Sequence, residues 1–209
     1  MSVRRKMKAL VAIATFGGGL ALGIQAFAQT PQTPPQHVRG TLESVEGHML
    51  SVKTARGTDA IKLADDAKVF MVSPADMSAI KDGKFVGITS VEKDGKRVAE
   101  EVHVFDDSLR GLGEGHYPWD LGTGPNMMTN ANIAQVESVG SDRLLKLDYK
   151  GGSQNIAVPP SATIVEFTAA TADQLTPNSK VFVIAKKEDD GSLVAPAIVV
   201  GKDGLKPPM

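Results

Sequence analysis

The chain repeats itself once. Residues 38–105 and 133–200 match in order, at an offset that stays between 94 and 96 positions. Glu43-Ser44-Val45 corresponds to Glu137-Ser138-Val139. A copy of this length exceeds the period of roughly 20–50 residues that is typical of solenoids. The repeat therefore predicts an internal duplication, in which two units of the same fold follow each other along the chain.

Each unit has the pattern of short strands joined by tight turns. Residues 49–54 alternate apolar and polar side chains, as in a strand with one buried face. Arg56-Gly57-Thr58 and Asp94-Gly95 are hairpin signals. Ala64-Asp65-Asp66 predicts a turn between two further strands. The pattern predicts an all-β fold of two tandem small OB-like β-barrels.

One short helix is predicted in each unit, before the penultimate strand. In the first unit Ser73-Pro74 is a good helix start and Gly83 a good stop. In the second unit the corresponding helix is expected near residues 170–175. Residues 201–209 form a tail after the second barrel.

The first residues predict export. Residues 1–28 combine a basic start, an apolar stretch and the cleavage signal Ala26-Phe27-Ala28, as in a signal peptide. Residues 29–37 are rich in Pro and Gln, so we expect an extended tether in which His37 is solvated. The predicted location is the periplasm, and full secretion remains open.

Composition narrows the classes of function. The sequence has no Cys, which excludes disulfides, thiol catalysis and thiolate metal sites. Removal of residues 1–28 leaves 19 Lys and Arg against 24 Asp and Glu, with no basic patch, so nucleic acid is not an expected partner. No membrane span is expected in the mature chain, and no cofactor is implied.

The segment 106–132 has no counterpart in the repeat. It contains the single Trp of the chain, Trp119, together with apolar and aromatic residues that a polar linker would lack: Leu109, Leu112, Tyr117, Met127 and Met128. Two interpretations stay open. In the first, Trp119 and Leu112 fill the seam between the two barrels. In the second, the segment is an inter-repeat loop that builds a binding surface.

The second interpretation predicts a ligand-binding site within this loop. A cation, acids, an imidazole and aromatic rings lie close together there, a mixture that is typical of binding surfaces. We therefore predict a non-catalytic binding or envelope-associated protein, whose partner is an unknown envelope component or small ligand. The candidate residues are Arg110, Glu114, His116, Tyr117, Trp119 and Asp120.

A periplasmic metal-binding protein is the alternative. His116 with nearby acids, or with the soft ligands Met127 and Met128, has suitable ligand chemistry. No His-x-x-His or related spacing supports it, and His48 and His103 are predicted to be surface residues. No hydroxyl residue lies in a nucleophile elbow, so no catalytic residue is assigned and an enzyme is not expected.

The motif sequences resemble a known family. The stretch that begins at Gly40-Thr41-Leu42, the later Asp82-Gly83-Lys84 and the central run 110–120 are similar to bacterial exported proteins of a domain-of-unknown-function family built on small β-barrels. Its members are often labelled metal ABC transporter permease, although a permease needs several membrane spans. The resemblance implies a barrel fold and an exported setting, and it assigns no functional residue.

Overall fold

The computed structural model describes residues 34–121 and 124–209, and in these ranges the protein is all-β. The predicted signal peptide and most of the predicted tether lie outside the described residues. Twelve strands are present in the described ranges: β1 (Gln36–Glu46), β2 (Met49–Thr54), β3 (Gly57–Pro74), β4 (Phe85–Lys93), β5 (Lys96–Phe105), β6 (Gly115–Trp119), β7 (Asn126–Val139), β8 (Asp142–Tyr149), β9 (Gly152–Val158), β10 (Thr163–Ala170), β11 (Lys180–Lys187) and β12 (Leu193–Gly201).

Five strands close into a barrel. The neighbours run β1–β2–β3–β12–β11 and return to β1, so every strand has a partner on both sides. The inward face of β2 carries Leu50 and Val52, as the alternation predicted, and both are at most 1% exposed. Closure satisfies the backbone donors and acceptors that an open sheet edge would expose.

A second circuit of five strands lies beside the first. Here the neighbours run β4–β5–β9–β8–β7 and return to β4. Only two residue pairs, Arg97 with Ile156 and Val98 with Ala157, join β5 to β9. Strand β10 pairs with both β3 and β5 and thereby connects the two circuits in one sheet.

The predicted arrangement of one barrel for each repeat is not confirmed, because both circuits combine strands from both repeats. Strands β11 and β12 of the second repeat complete the circuit that β1 to β3 begin, and β4 and β5 join β7 to β9. Equivalent positions pair alike: Leu193 pairs with Ile61, and Arg97 pairs with Ile156. Because of the duplication, each strand of one repeat has an equivalent strand with a similar pattern of inward side chains in the other repeat. The local sequence of a strand therefore does not determine whether it pairs within its own repeat or with the other repeat.

The Glu-Ser-Val sequence that the two repeats share does not lie at equivalent structural positions. Val45 pairs with Leu50, and the counterpart of Leu50, Leu145, pairs with Val136. Four residues lie between the members of the first pair and eight between those of the second, so the second hairpin is longer. Val139 is 56% exposed near the hairpin tip and does not occupy the position of Val45.

Short helices and turns differ in detail from the prediction. The helix of the first repeat is one 3-10 turn, Met77–Ala79, capped by the side chain of Asp76, whereas Ser73 and Pro74 still belong to β3. The predicted turn at residues 64–66 is instead an exposed irregularity within the continuous β3. The other 3-10 turns are Asp107–Leu109, Ala172–Gln174 and Lys202–Gly204. Asp94 and Gly95 form the predicted two-residue hairpin, with φ values of 52° and 71°.

The segment 106–132 is not a loop throughout. It contains β6 and the first part of β7, which pair with each other, and β7 also pairs with β4. His37, predicted to be solvated, lies in β1 with a side chain that is 14% exposed. The tail, too, is ordered against the body of the protein, because Met209 is 4% exposed.

Three apolar clusters form the core. One fills the first barrel, a second fills the second circuit, and a third lies on the outer faces of the strands where the two meet. We call this third region the seam; its buried members are Phe70, Val72, Phe85, Phe105, Val165, Phe167, Phe182, Val199 and Met209. In the described ranges no helix has the length and apolar character needed to cross a membrane.

Candidate functional site

The seam contains a small cavity, which we call the seam pocket. Its volume is about 210 Å³, and its exposed lining is almost entirely apolar. Strands of both repeats contribute walls, while β6 and the tail border it. The lining residues are Phe70, His103, Phe105, Leu112, Gly113, Tyr117, Trp119, Met128, Asn130, Phe167, Phe182, Ile184, Ala197, Val199 and Met209. An apolar concave pocket with a few polar groups is the usual form of a small-molecule site.

A buried imidazole lines one wall of the pocket, and a buried acid lies next to it. Glu101 is 2% exposed and His103 is 3% exposed, and both side chains project from the seam face of β5. Glu101 Oε1 accepts a hydrogen bond from Thr89 Oγ1 at 2.6 Å and lies 3.5 Å from His103 Nε2. Glu101 Oε2 and His103 Nε2 have no hydrogen-bond partner in the described part of the chain.

Burial keeps both groups neutral at ordinary pH. Loss of solvent around Glu101 raises the pKa of its carboxyl to about 8, although the hydrogen bond from Thr89 opposes the shift. Burial lowers the pKa of the His103 imidazole to about 4. The wall of the pocket therefore contains a neutral imidazole, with a neutral acid next to it that does not itself line the cavity. Shifts of this kind are typical of functional sites.

The absence of a side chain at Gly87 lets Asn130 and Phe105 pack directly against the backbone of β4. A Cβ on Gly87 would lie 2.6 Å from Asn130 Oδ1, 3.0 Å from Phe105 and 3.4 Å from His103 Nδ1. Asn130 donates from Nδ2 to the carbonyl of Leu112 at 3.1 Å and to Tyr117 Oη at 3.3 Å. Its Oδ1 is buried without a partner among the described residues, so one acceptor is free.

The mouth of the pocket is formed by tilted aromatic rings and an ion pair. The Trp119 ring lies 4.5 Å from that of His37 and 6.1 Å from that of Phe182. Asp120 accepts hydrogen bonds from Arg39 at 2.8 Å and from His37 at 2.7 Å. Partial burial opposes the shift, but these two partners hold the pKa of Asp120 at about 2. Trp119 Nε1 is buried and has no acceptor among the described residues.

The structure separates the six residues predicted as a site. Tyr117 and Trp119 alternate along β6 and line the pocket, and Asp120 lies at its mouth. The other three make contacts elsewhere: Arg110 binds Asp107 and Asn132, Glu114 accepts from the backbone of Lys150, and His116 contacts Thr129 and Tyr149. Alternation along β6 explains why His116 is separated from Tyr117 and Trp119, because neighbouring residues of a strand face opposite sides. Arg110 and Glu114 precede this strand. A binding role for all six stays a prediction.

The two interpretations of the central segment combine at this pocket. Trp119 packs on the seam as the packing hypothesis expected, while Leu112 remains 38% exposed at the rim. The metal alternative relied on His116, whose Nδ1 lies 2.8 Å from Thr129 Oγ1. Within residues 34–121 and 124–209, no three His, Asp or Glu side chains converge as metal ligands.

Sequence reasoning missed Glu101, His103 and Asn130. His103 was predicted to face solvent because it alternates with the inward Val102 and Val104, and this prediction was wrong. Both faces of β5 are buried, one in the second circuit and the other in the seam. One feature of the sequence indicated that this face is buried. The position equivalent to His103 in the second repeat is Val199, and an apolar residue at that position is typical of a strand whose outer face is covered by other residues.

A second cavity lies at the far end of the second circuit. It is a wide groove of about 870 Å³ formed by hairpin tips, with both cations and acids, including Lys93, Lys96, Arg97, Asp94 and Asp142. The described side chains with unpartnered buried polar atoms include three that line the seam pocket, those of His103, Trp119 and Asn130, and none that lines this groove. The seam pocket is therefore the stronger candidate.

Comparisons with protein-family models, with curated proteins and with solved structures found no match to this chain. The resemblance to the exported barrel family remains a prediction.

Gly87→Ala is expected to displace the Asn130 side chain from the backbone of β4. The backbone at this position is not in the left-handed region, so the effect comes from the contact between the new methyl group and Asn130. We expect a loss of about 1–3 kcal/mol in the free energy of unfolding, the usual cost of overpacking. Urea denaturation measures it. Gly124→Ala, where a Cβ meets no atom within 4 Å, is the control and should change stability by less than about 0.5 kcal/mol.

Proposed function

We propose that the protein is a non-catalytic binding protein that holds a small, uncharged, largely apolar molecule in the seam pocket. The observation that carries the proposal is the coexistence, in one apolar cavity, of unpartnered buried polar atoms from His103, Asn130 and Trp119. Unpartnered buried polar groups are costly, and a ligand that satisfies them recovers part of that cost.

The charges of the pocket favour a neutral ligand. Among the described residues no Lys, Arg, Asp or Glu lines the cavity, and His103 is neutral because its pKa is lowered by burial. Arg39 and Asp120 at the mouth already bind each other. An ionic ligand would lose its hydration without gaining a partner of opposite charge, which is strongly unfavourable in an apolar site.

The size of the pocket limits the ligand to one or two rings. A dry apolar cavity of roughly 150 Å³ accepts benzene in an engineered protein, and this pocket measures about 210 Å³. Naphthalene is a suitable neutral probe. Because Trp119 is the single Trp and lines the cavity, its fluorescence reports binding.

We expect naphthalene to change the Trp119 fluorescence in a saturable manner, and Ala197→Phe to abolish the change by filling the cavity. Ala79→Phe, a matched substitution at a half-buried residue in the second cluster, should retain it. Fluorescence titration of the three proteins provides the measurement. An unchanged Trp119 spectrum in the folded wild-type protein would contradict the proposal.

We infer further that the chain is exported to the periplasm and arose by internal duplication. Export is supported by the basic start, the apolar stretch and the Ala26-Phe27-Ala28 signal. Duplication is supported by the collinear repeat and by equivalent pairings, such as Val199 with Phe70 and His103 with Val165. In this view the seam is built from equivalent strands of the two copies, and differences such as His103 against Val199 created the polar wall.

A further inference from the structure

We propose that the ligand of the seam pocket is a neutral aromatic alcohol, that is, a ring of the phenol class. This inference rests on the proposed function and names its ligand class. It is drawn from two independent features of the pocket, the aromatic character of the walls and the kind of polar atoms that lack partners.

The walls favour a flat ring over an alkyl chain. Six aromatic side chains line the cavity, and their rings meet at tilted angles: the Phe167 ring lies 4.9 Å from that of Phe105 and 5.1 Å from that of Phe70. Tilted rings present both edges and faces, which are the preferred contacts of a further aromatic ring. His103 extends the same surface, with its ring 5.9 Å from that of Phe167.

The unpartnered atoms call for one donor and one acceptor on the ligand. Asn130 Oδ1 is an acceptor only, and Trp119 Nε1 is a donor only. His103 Nε2 is a third free position, whose role depends on the tautomer. A hydroxyl group supplies one donated hydrogen and accepting lone pairs from a single atom. A ketone or an ether lacks the donor, and a carboxylate brings a charge that nothing in the pocket neutralises.

Asn130 and His103 lie close together at one wall of the pocket. A Cβ on Gly87 would lie 2.6 Å from Asn130 Oδ1 and 3.4 Å from His103 Nδ1, so these two side chains occupy the space over the bare backbone of Gly87. The second repeat has Phe182 at the equivalent pairing position, opposite Val199, where Gly87 is opposite His103. The pair of Asn130 and His103 is thus confined to one side of the seam.

The test compares three probes of similar shape: p-cresol, toluene and p-toluate. We expect p-cresol to bind with a Kd at least about tenfold lower than toluene, because only the hydroxyl satisfies the buried polar atoms. We expect p-toluate to bind more weakly than either. Kd values are measured by NMR titration of the folded full chain at pH 6, where both the cresol hydroxyl and the pocket groups are neutral.

Two variants assign the hydroxyl contact. Trp119→Phe and His103→Phe keep an aromatic ring and remove the ring nitrogens. In at least one of them the preference for p-cresol over toluene should fall below about threefold while toluene binding is retained. Phe167→Leu, which removes packing and no polar group, should weaken both probes alike.

The outcomes separate the two proposals. If toluene binds as tightly as p-cresol, the pocket holds apolar molecules but the assignment of an alcohol is wrong. If p-toluate binds most tightly, the neutral class is wrong. If none of the three probes binds, the proposed function fails as well. Should His103→Phe not fold, the wild-type ratio and Trp119→Phe still decide the result.

Discussion

Glu101→Gln is expected to remove most of the loss of stability that the wild-type protein suffers as the pH rises from about 5 to about 8. In the unfolded chain Glu101 releases its proton near pH 4.5, whereas burial raises its pKa in the folded protein to about 8. Between these two pKa values Glu101 loses its proton only in the unfolded state, and this deprotonation stabilises the unfolded state relative to the folded state. The free energy of unfolding therefore falls as pH rises, by up to about 1.4 kcal/mol for each pH unit.

From pH 5 to pH 8 this difference amounts to as much as about 4 kcal/mol, a large part of the stability of an ordinary domain. Gln keeps the shape of the side chain and accepts the hydrogen bond from Thr89 without titrating. Urea denaturation at pH 5, 6, 7 and 8 measures the slope. Glu100→Gln changes the same net charge at an exposed neighbour and should leave the slope as in wild type.

His103 contributes with the opposite sign at lower pH. Its folded pKa is lowered to about 4, so below about pH 6.5 the unfolded chain binds a proton that the folded protein excludes. Stability consequently decreases as pH falls from 6.5 towards 4. If Glu101→Gln and wild type showed parallel curves above pH 5, the carboxyl would not be held neutral in the folded protein.

The sequence predicted the strands of this protein better than their partners. Alternation in β2 and the Asp94-Gly95 turn are local signals, and the structure has both where they were expected. The partners of a strand are determined by contacts between distant residues. Because the two repeats have similar inward patterns, β1 meets acceptable neighbours in either copy, and the observed pairing with β11 is not encoded in any local pattern.

The site was predicted in part for the same reason. Tyr117 and Trp119 were found because aromatic residues in a segment without a repeat partner are conspicuous. Glu101 and His103 lie on a strand face that alternation alone assigns to solvent. Only the packing of the two circuits against each other turns that outer face into an interior. A site that forms where two circuits pack together uses residues on strand faces that the sequence pattern of each strand alone assigns to solvent.

The interlaced strands predict that neither half of the chain folds alone. A fragment of residues 34–121 contains β1 to β6 and lacks β11 and β12, so both edges of the three-stranded part of the first barrel stay open. Inward side chains such as Leu42, Val52 and Ile61, each fully buried in the protein, would face water. The complementary fragment of residues 124–209 lacks β4 and β5 and has the same defect.

Mixing the two fragments should restore the fold. We expect each fragment alone to show no cooperative thermal transition by circular dichroism, and the equimolar mixture to form a 1:1 complex with a single transition, because the missing strands of each circuit are then supplied. Tandem barrels, one in each repeat, would instead give two fragments that fold separately and do not associate.

The control is the second fragment with Val183→Asp. Val183 is fully buried in the first barrel and pairs with Val38, so an unpaired charge there should abolish complementation. Cooperative unfolding of the 34–121 fragment by itself would show that its strands close without the second repeat, contrary to the pairing of β1 with β11 and of β3 with β12.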